Sequence, residues 1–408
     1  MTSGSKMKVL VLAGGADQAA LIQELKERGH QTILVDYFDN PPAKVFADKH
    51  IVASTLDVNR VREIALCEKV NLICTACTDQ ALLTVAQVSE ELGLPCYISY
   101  QTALNVTNKS YMKKLMIDNN IPTSKYKIVK SVDLSQLKGL QYPLVVKPVD
   151  CNSSKGVVKI DTISSLETAL TDAISFSRTK TAVVEEFNVG EEISADFYIE
   201  GRMAKFLCAT SSKKAKNSSS FTITQSYYPV VNSQQVRTLV QIAQKIADVF
   251  KISDSPLLIQ LIADGDRMSV LEFSARMGGG SKYKLIEVLS GVNIMKKYVD
   301  LILGQHPKVF PQKMVNYAAC SFVYCKNGTI SEVRGFDDLV SDGTIRHYFL
   351  YKTKGMVINQ AKTSGDRAAG YIVTAQTETE LKRKLEKTDS SLSVLDSHNK
   401  DIMIHGWI

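Results

Sequence analysis

The feature that most restricts the fold of this chain is the regular exchange of two hydrophobic periods over roughly its first hundred residues. KVLVLAG (Lys8–Gly14) is a short apolar run of strand character, and QAALIQELKERGH repeats its apolar residues at helical spacing until Gly29 stops it. QTILVDY and VNRVREIALCEKV repeat the pair. NLICTA and QALLTVAQVSEELG repeat it again, ending at Gly93. A strand that returns through a helix re-enters its sheet in the same direction, so this order predicts a parallel sheet with helices on both faces. A Rossmann-like domain is expected over residues 1–107.

From Asn108 the pattern changes. A helix over KSYMKKLMIDNN leads to Pro122, and strands and hairpins follow to about Tyr198. QQVRTLVQIAQKIADVF is a long helix. PLLIQLIAD and RMSVLEFSAR are joined through Asp264-Gly265 and read as a hairpin, and VNIMKKYVDLILG is a helix closed by Gly304. Turn pairs such as Asn327-Gly328 and Asp342-Gly343 divide the rest, as in a small α+β domain over 306–408. The expected class is therefore α/β followed by α+β.

A net charge of +7 over 408 residues suits anionic small molecules at least as well as nucleic acid, and no helix carries a dense basic stripe. The cluster SSKKAKNSSS, with Lys213, Lys214 and Lys216, reads as a solvated loop. No apolar stretch approaches the roughly 20 residues of a membrane span. The eight cysteines lack disulfide-like spacing, which fits a reducing cytoplasm. Cys74 and Cys77 form one CxxC without the second pair of a structural zinc site, and read as reduced thiols.

Two glycine-bearing stretches invite a nucleotide. LAGGADQAA follows the first strand, but Gly14 and Gly15 are adjacent and no third glycine follows, so a dinucleotide is not expected there. YPLVVKPVDCNSSKGVVKI is different. A lysine at the inner end of a buried strand is costly unless an anion meets it, and the small residues after it let backbone N–H groups close over phosphate oxygens. TAVVEEFNVGEEISADFYIEG then presents Glu185, Glu186, Glu191 and Glu192; alone this run reads as a solvated acidic hairpin. Gln260 and Glu272 lie on the two strands of the later hairpin and can share a face as oxygen ligands of Mg²⁺. Arg276 and Gly278–Gly280 follow, a fork for phosphate or carboxylate beside space for a substrate.

Taken in order, these segments resemble the ATP-grasp superfamily, in its glycinamide ribonucleotide synthetase, biotin carboxylase and carbamoyl-phosphate synthetase branches. NKSYMKKLMIDNNIP is similar to DKxxMKxxLxxxGIP, VVKPVDCNSSKGV to VVKPxxxxGSxGV, VVEEFNVGEEIS to VEEFxxGEExS, and VLEFSARMGGG to xxExNxRxGGG. VFADKHIVAS and ELGLP resemble parts of the family's first domain. The resemblance implies a pre-ATP-grasp domain (1–107), an ATP-grasp fold (108–305, with its lid at about 125–200) and the α+β domain (306–408).

By position, the resemblance implies that Lys109 and Lys147 contact ATP phosphates under a loop of Ser153, Ser154 and Gly156. Glu185, Glu186 and Phe187 are the implied adenine hinge and Glu192 the ribose carboxylate. Gln260, Glu272 and Ser274 are the implied ligands of Mg²⁺ (or Mn²⁺), and Arg276 with Lys147 acts on the transferred phosphoryl group. Three departures stand out: one glycine in the phosphate loop, Gln260 where many members have glutamate, and Ser274 where asparagine is usual. The implied activity joins a small carboxylate to an amine through an acyl phosphate, in a cytoplasmic homodimer. Phosphorylation of bicarbonate, as in carbamoyl-phosphate synthetase or a carboxylase, and nucleotide binding without turnover are the alternatives. KTSGDRAAGYIVTAQTETEL resembles the family's closing domain; Arg367 reads as a surface residue in a turn, with the substrate cleft as its other possible place. Residues that select the substrate are expected within 213–228 and 278–284.

Overall fold

The computed structural model describes residues 6–151, 155–215, 221–359, 361 and 363–406. Its first part is a parallel sheet of β1 (Lys8–Leu12), β2 (Gln31–Asp36), β3 (Lys49–Val52) and β4 (Leu72–Cys74), in the order β3-β2-β1-β4. Leu10, Leu12, Ile33 and Val35 are buried on one face and Val9, Val11 and Leu34 on the other, as two helical layers require. Those layers come from α1 (Ala16–Glu27), α2 (Val58–Glu68) and α3 (Asp79–Leu92). Gly93 ends α3 in the left-handed region at φ +63°, where a side chain would be strained. A short helix, α4 (Tyr100–Thr107), leads into α5 (Lys109–Asp118), which starts where the Asn108 side chain accepts from the Ser110 N–H.

Next comes a four-stranded antiparallel sheet of β5 (Tyr126–Val129), β6 (Leu144–Pro148), β7 (Val158–Ile160) and β8 (Ala182–Glu186), ordered β5-β8-β6-β7. The helix α6 (Leu166–Phe176) covers one face, burying Leu166, Ala169, Leu170 and Ala173 against Leu144, Val146 and Val184. The other face looks toward a larger sheet.

That larger sheet begins with β9 (Glu191–Glu200), β10 (Met203–Lys214), β11 (Ile223–Tyr228), β12 (Ser255–Asp264) and β13 (Arg267–Ser274). The helix α7 (Ser233–Val249) opens with a capping box between Asn232 and Gln235. Its apolar stripe Leu239, Ile242, Ala243 and Ile246 packs under the sheet with Phe197 and Ile259. The helices α8 (Lys282–Ser290) and α9 (Ile294–Ile302) follow the hairpin. The remaining elements are β14 (Tyr317–Val323), β15 (Gly328–Arg334), α10 (Phe336–Ser341), β16 (His347–Leu350), β17 (Val357–Ile358), β18 (Ala369–Ala375), α11 (Glu378–Ser391) and β19 (Ser393–Asp396).

The eight-stranded sheet runs β13-β12-β9-β10-β11-β14-β18-β16. The antiparallel pairing of β11 with β14, Ser226 opposite Cys320, therefore carries one sheet across from the hairpin strands into the C-terminal part of the chain. Strands β17, β15 and β19 form a separate small sheet. Among the described residues no helix is long and apolar enough to cross a membrane.

Candidate active site

The lysine at the end of β6 is buried, with 6% of its surface exposed. Its ammonium bonds Glu185 on the neighbouring strand β8, and the other oxygen of Glu185 sits 2.6 Å from Lys113, which is fully buried on α5. Burial pushes the Glu185 carboxyl up, but Lys113 and Lys147 outweigh it and hold the group at about 2. Burial pulls Lys113 below the ordinary lysine value against the attraction of Glu185. A carboxylate between two lysines leaves one net positive charge under the sheet surface.

Lys109 is one turn earlier on α5, so it shares a helix face with Lys113. Its ammonium donates to the Cys151 carbonyl at 2.8 Å and lies 3.0 Å from Glu272 Oε2. The Glu272 carboxyl, pushed up by burial, is pulled below its ordinary value by Lys109 and Lys147.

Glu272 and Gln260 are register partners on β13 and β12, and Leu258 pairs with Ser274 two positions along. Successive side chains alternate across a strand, so Glu272 and Ser274 share a face with Gln260. One carboxylate, one amide oxygen and one hydroxyl is a set of hard oxygen donors that fits Mg²⁺, which takes one or two carboxylates and completes its shell with phosphate and water.

A cavity of about 360 Å³ lies between the two sheets. Val145, Lys147 and Glu185 line it from the small sheet, Glu192, Gln260, Ile262 and Glu272 from the large one, and Phe187 at the hinge between them. Gly190, in that hinge at φ +145°, lies so close to the Ala263 carbonyl that a Cβ would clash. Glu186 accepts from the Gln141 N–H at 3.0 Å, and Lys159 sits 4.9 Å over the Phe187 ring. Glu192 pairs with Lys214 at 2.6 Å. Gly156 has φ +71°, and a Cβ there would come within 2.8 Å of Phe176. Ser153 and Ser154 lie outside the described residues.

Gln260 and Glu272 also line a second, larger cavity of about 890 Å³, which reaches the N-terminal sheet and the C-terminal strands. Ser274 and Arg276 stand in it. Asp79, the first residue of α3, grips Arg276 with both carboxylate oxygens, Oδ1 accepting from Nε at 2.8 Å. Lys282 donates to Thr210 at 2.6 Å and lies 3.2 Å from buried Asp196. Gly14, Gly15 and Asp17 contribute from the first βα turn, and Arg367 from the loop before β18. Beside the adjacent glycines Asp36, at the end of β2, accepts from the Gly14 N–H at 2.7 Å and from the Phe38 N–H at 2.8 Å.

Comparison with known proteins agrees with this geometry. Residues 107–280 match the phosphoribosylglycinamide synthetase ATP-grasp (A) domain, and residues 321–394 match the L-amino acid ligase C-terminal domain 2. Residues 107–280 therefore form an ATP-grasp domain. Among curated relatives, a phosphoribosylamine–glycine ligase of Allochromatium vinosum is 25% identical over 52% of this chain and 51% of its own length. An L-arginine-specific L-amino acid ligase of Bacillus subtilis is 21% identical over 76% of each chain. The chain thus spans about half the length of the first relative. Among solved structures, the L-amino acid ligase of Bacillus licheniformis superposes with a TM-score of 0.79 at 19% identity, covering 96% of this chain and 99% of the other. The biotin carboxylase domain of Hydrogenobacter thermophilus 2-oxoglutarate carboxylase, in complex with MgADP and bicarbonate, superposes at 0.78 with 18% identity, covering 95% and 91%.

Three features of this chain escaped the sequence reading. Glu185 is the counter-ion of two lysines, because the inward face of β8 meets β6 and α5; the spacing of Lys113 four residues after Lys109 is the signal that would have found its partner. Lys213 and Lys214 are not in a solvated loop: they end β10, pair with Glu191 and Glu192, and line the smaller cavity. Arg367 is not a surface residue of a turn. It stacks 3.5 Å over Phe322 inside the larger cavity. Asp17, Asp79 and Asp196 had no motif of their own, and only the folding together of distant segments gives them a place; Lys282 falls within the 278–284 stretch expected to select the substrate.

Proposed function

We propose that this chain is an ATP-dependent ligase that joins a small carboxylate to an amine. The observation that carries the reading is that Lys109, Lys147, Gln260 and Glu272, from three separated segments, line one cavity between two β-sheets, and that this cavity shares Gln260 and Glu272 with a larger one containing Arg276. The ADP and magnesium held by the structural neighbour support ATP with Mg²⁺ as the nucleotide. Mg²⁺ would be held by Glu272, Gln260 and Ser274 and, when bound, neutralises phosphate charge.

Phosphoryl transfer needs little covalent help; position and charge carry it. In this reading Lys147, fixed by Glu185, and Lys109 hold the phosphates from the small sheet and α5. Glu186 and Phe187 border the adenine, and Glu192 takes the ribose hydroxyls. Arg276, oriented by Asp79, meets the oxygens of the transferred group where their charge rises. The γ-phosphoryl group passes to the carboxylate, giving an acyl phosphate and ADP. The amine then attacks the acyl carbon, the C–N bond forms, and the C–O bond to phosphate breaks. The three-part division at 107/108 and 305/306, a homodimer and a cytoplasmic setting are parts of the same proposal.

The test is phosphate release from Mg-ATP against a matrix of small acids and amines, with Lys147→Ala and Glu272→Ala beside the wild type. Turnover that requires both an acid and an amine supports the reading; full turnover in both variants overturns the site. Bicarbonate as the phosphorylated acid is a second reading, favoured by the bicarbonate in the biotin carboxylase neighbour. Bicarbonate-dependent ADP release without any amine would single it out. Protection by Mg-ATP without turnover against any pair would mark a nucleotide-binding regulator.

A further inference from the structure

Lys113 stands on α5 one turn after Lys109, yet it is fully buried and lines neither of the two cavities. Behind the smaller one it is the middle of a chain of polar contacts that runs from one sheet to the other. On one side its ammonium lies 2.6 Å from Glu185 Oε2, and the other oxygen of Glu185 holds Lys147 at the end of β6. On the other side the same ammonium donates to Thr123 Oγ1 at 2.6 Å, and that hydroxyl donates to the Val270 carbonyl at 2.7 Å. The Val270 N–H donates to the Pro122 carbonyl at 2.8 Å, so the segment that enters the small sheet takes both backbone groups of Val270.

Val270 precedes Glu272 by two residues on β13, and the register with β12 slips between them: Gln260 faces Glu272, but Leu261 faces Val270. Leu271 is the extra residue of this β-bulge, and a bulge re-aims the side chains beside it. The bonds from Pro122 and Thr123 therefore fix the strand at the irregularity that sets the direction of Glu272.

Stability alone does not account for a fully buried ammonium here. Exchanging a buried ion pair for apolar groups of similar volume is often neutral or stabilising, and burial pulls Lys113 below the ordinary lysine value. Charge and position do account for it. Without Lys113, Glu185 would cancel Lys147, and the pair would offer a triphosphate no net charge. With it, the three groups keep one positive charge while Glu185 still holds Lys147 in place.

We propose that Lys113 is the positioning residue of the nucleotide site, setting Lys147 through Glu185 and the Glu272 strand through Thr123. The inference rests on the reading of the smaller cavity as a Mg-ATP site, and adds a residue that acts on both of its walls without touching the ligand.

Equilibrium binding to the full chain, measured by calorimetry, separates this from a role in the fold. ATP, with and without Mg²⁺, is compared with adenosine, which lacks the phosphates that Lys147 would meet. Lys113→Met keeps the length of the side chain and leaves Glu185 paired with Lys147. It should weaken ATP binding about tenfold or more, the effect of one charge-assisted hydrogen bond, and change adenosine binding by less than about twofold. Thr123→Val keeps the shape and removes the hydroxyl. It should cut the increase in ATP affinity that Mg²⁺ gives by about threefold or more, with adenosine again unchanged. Urea unfolding shows whether each variant is folded, and if Lys113→Met is not, Thr123→Val decides alone. Equal losses of ATP and adenosine binding, or wild-type binding in the folded variants while Lys147→Ala weakens ATP, would overturn the inference and leave the site reading intact. If Mg²⁺ adds nothing to ATP binding in the wild type, or Lys147→Ala binds ATP as well as the wild type, the site reading itself falls and takes the inference with it.

Discussion

Of the lysines at the smaller cavity, Lys109 pairs with Glu272 and Lys147 with Glu185, which also pairs with Lys113 buried behind it. In the larger cavity Arg276 and Lys282 are paired in the same way, with Asp79 and Asp196, but Asp17 and Arg367 are left facing each other without a bond. The difference teaches what each region asks of its ligand. Each buried ammonium there has a carboxylate beside it, but Glu185 serves two lysines and one positive charge remains, so a polyanion with its cation would exchange into an existing network. The larger cavity mixes such pairs with charged groups that have no ion pair among the described residues, Asp17 and Arg367 among them.

Four measurements would break or sharpen that contrast. The largest effect is expected from Lys147→Ala and Glu272→Ala. Each removes one side of the phosphate clamp and should lower turnover by on the order of 10²–10³-fold, the scale found for a lost charge-stabilising donor. Loss of thermal protection by Mg-ATP should accompany it. Turnover near wild type in both would mean that the paired charges serve only the fold.

Glu185→Gln comes second, because it leaves two buried ammonium groups with no carboxylate. A loss of about 3 kcal/mol or more in urea unfolding is expected. The pH dependence gives an independent check. Glu185 has a folded value of about 2 against an ordinary 4.5, so its contribution is complete above about 4.5 and is lost as pH falls through about 2. The wild type should lose stability over that window more steeply than the variant. Parallel curves would show that the lysines are held by something other than this carboxylate.

A smaller change is expected from Asp79→Asn. The guanidinium of Arg276 keeps a neighbour that can accept one hydrogen bond but loses the fork, and kcat should fall about tenfold with KM little changed. A rise in KM alone would assign Asp79 to substrate binding instead. Lys213→Ala should be the mildest. The Lys213–Glu191 pair is half exposed, so its stability effect should stay within about 1 kcal/mol. Any loss of ATP affinity beyond that would move Lys213 from the rim into the site.

Sequence and structure divide along the same line as the two cavities. The proposed nucleotide site is written in short contiguous motifs because its parts are local: a strand end with Lys147, a hairpin that sets Gln260 opposite Glu272, a helix start with Lys109. Each of these follows from hydrophobic period, turn chemistry and capping, which act over a few residues, and so did the parallel first sheet. Lys113 was readable in principle from its spacing and was passed over. The larger cavity is another matter. Asp79 meets Arg276, Asp17 meets Gly280, and Arg367 reaches Phe322 only because the first βα turns, the hairpin end and the C-terminal strands are folded against one another. The strand pairing of β11 with β14 is what carries Arg367 there.

By itself the sequence determined the order of the elements, the ATP-grasp domain and the lysine and carboxylate positions of the proposed nucleotide site, since local periodicity and motif spacing encode these directly. Tertiary structure alone decided which charges are neutralised and which are left for a ligand. Whether two charged side chains stand within 4 Å depends on how far-separated segments pack, and no short-range pattern records it.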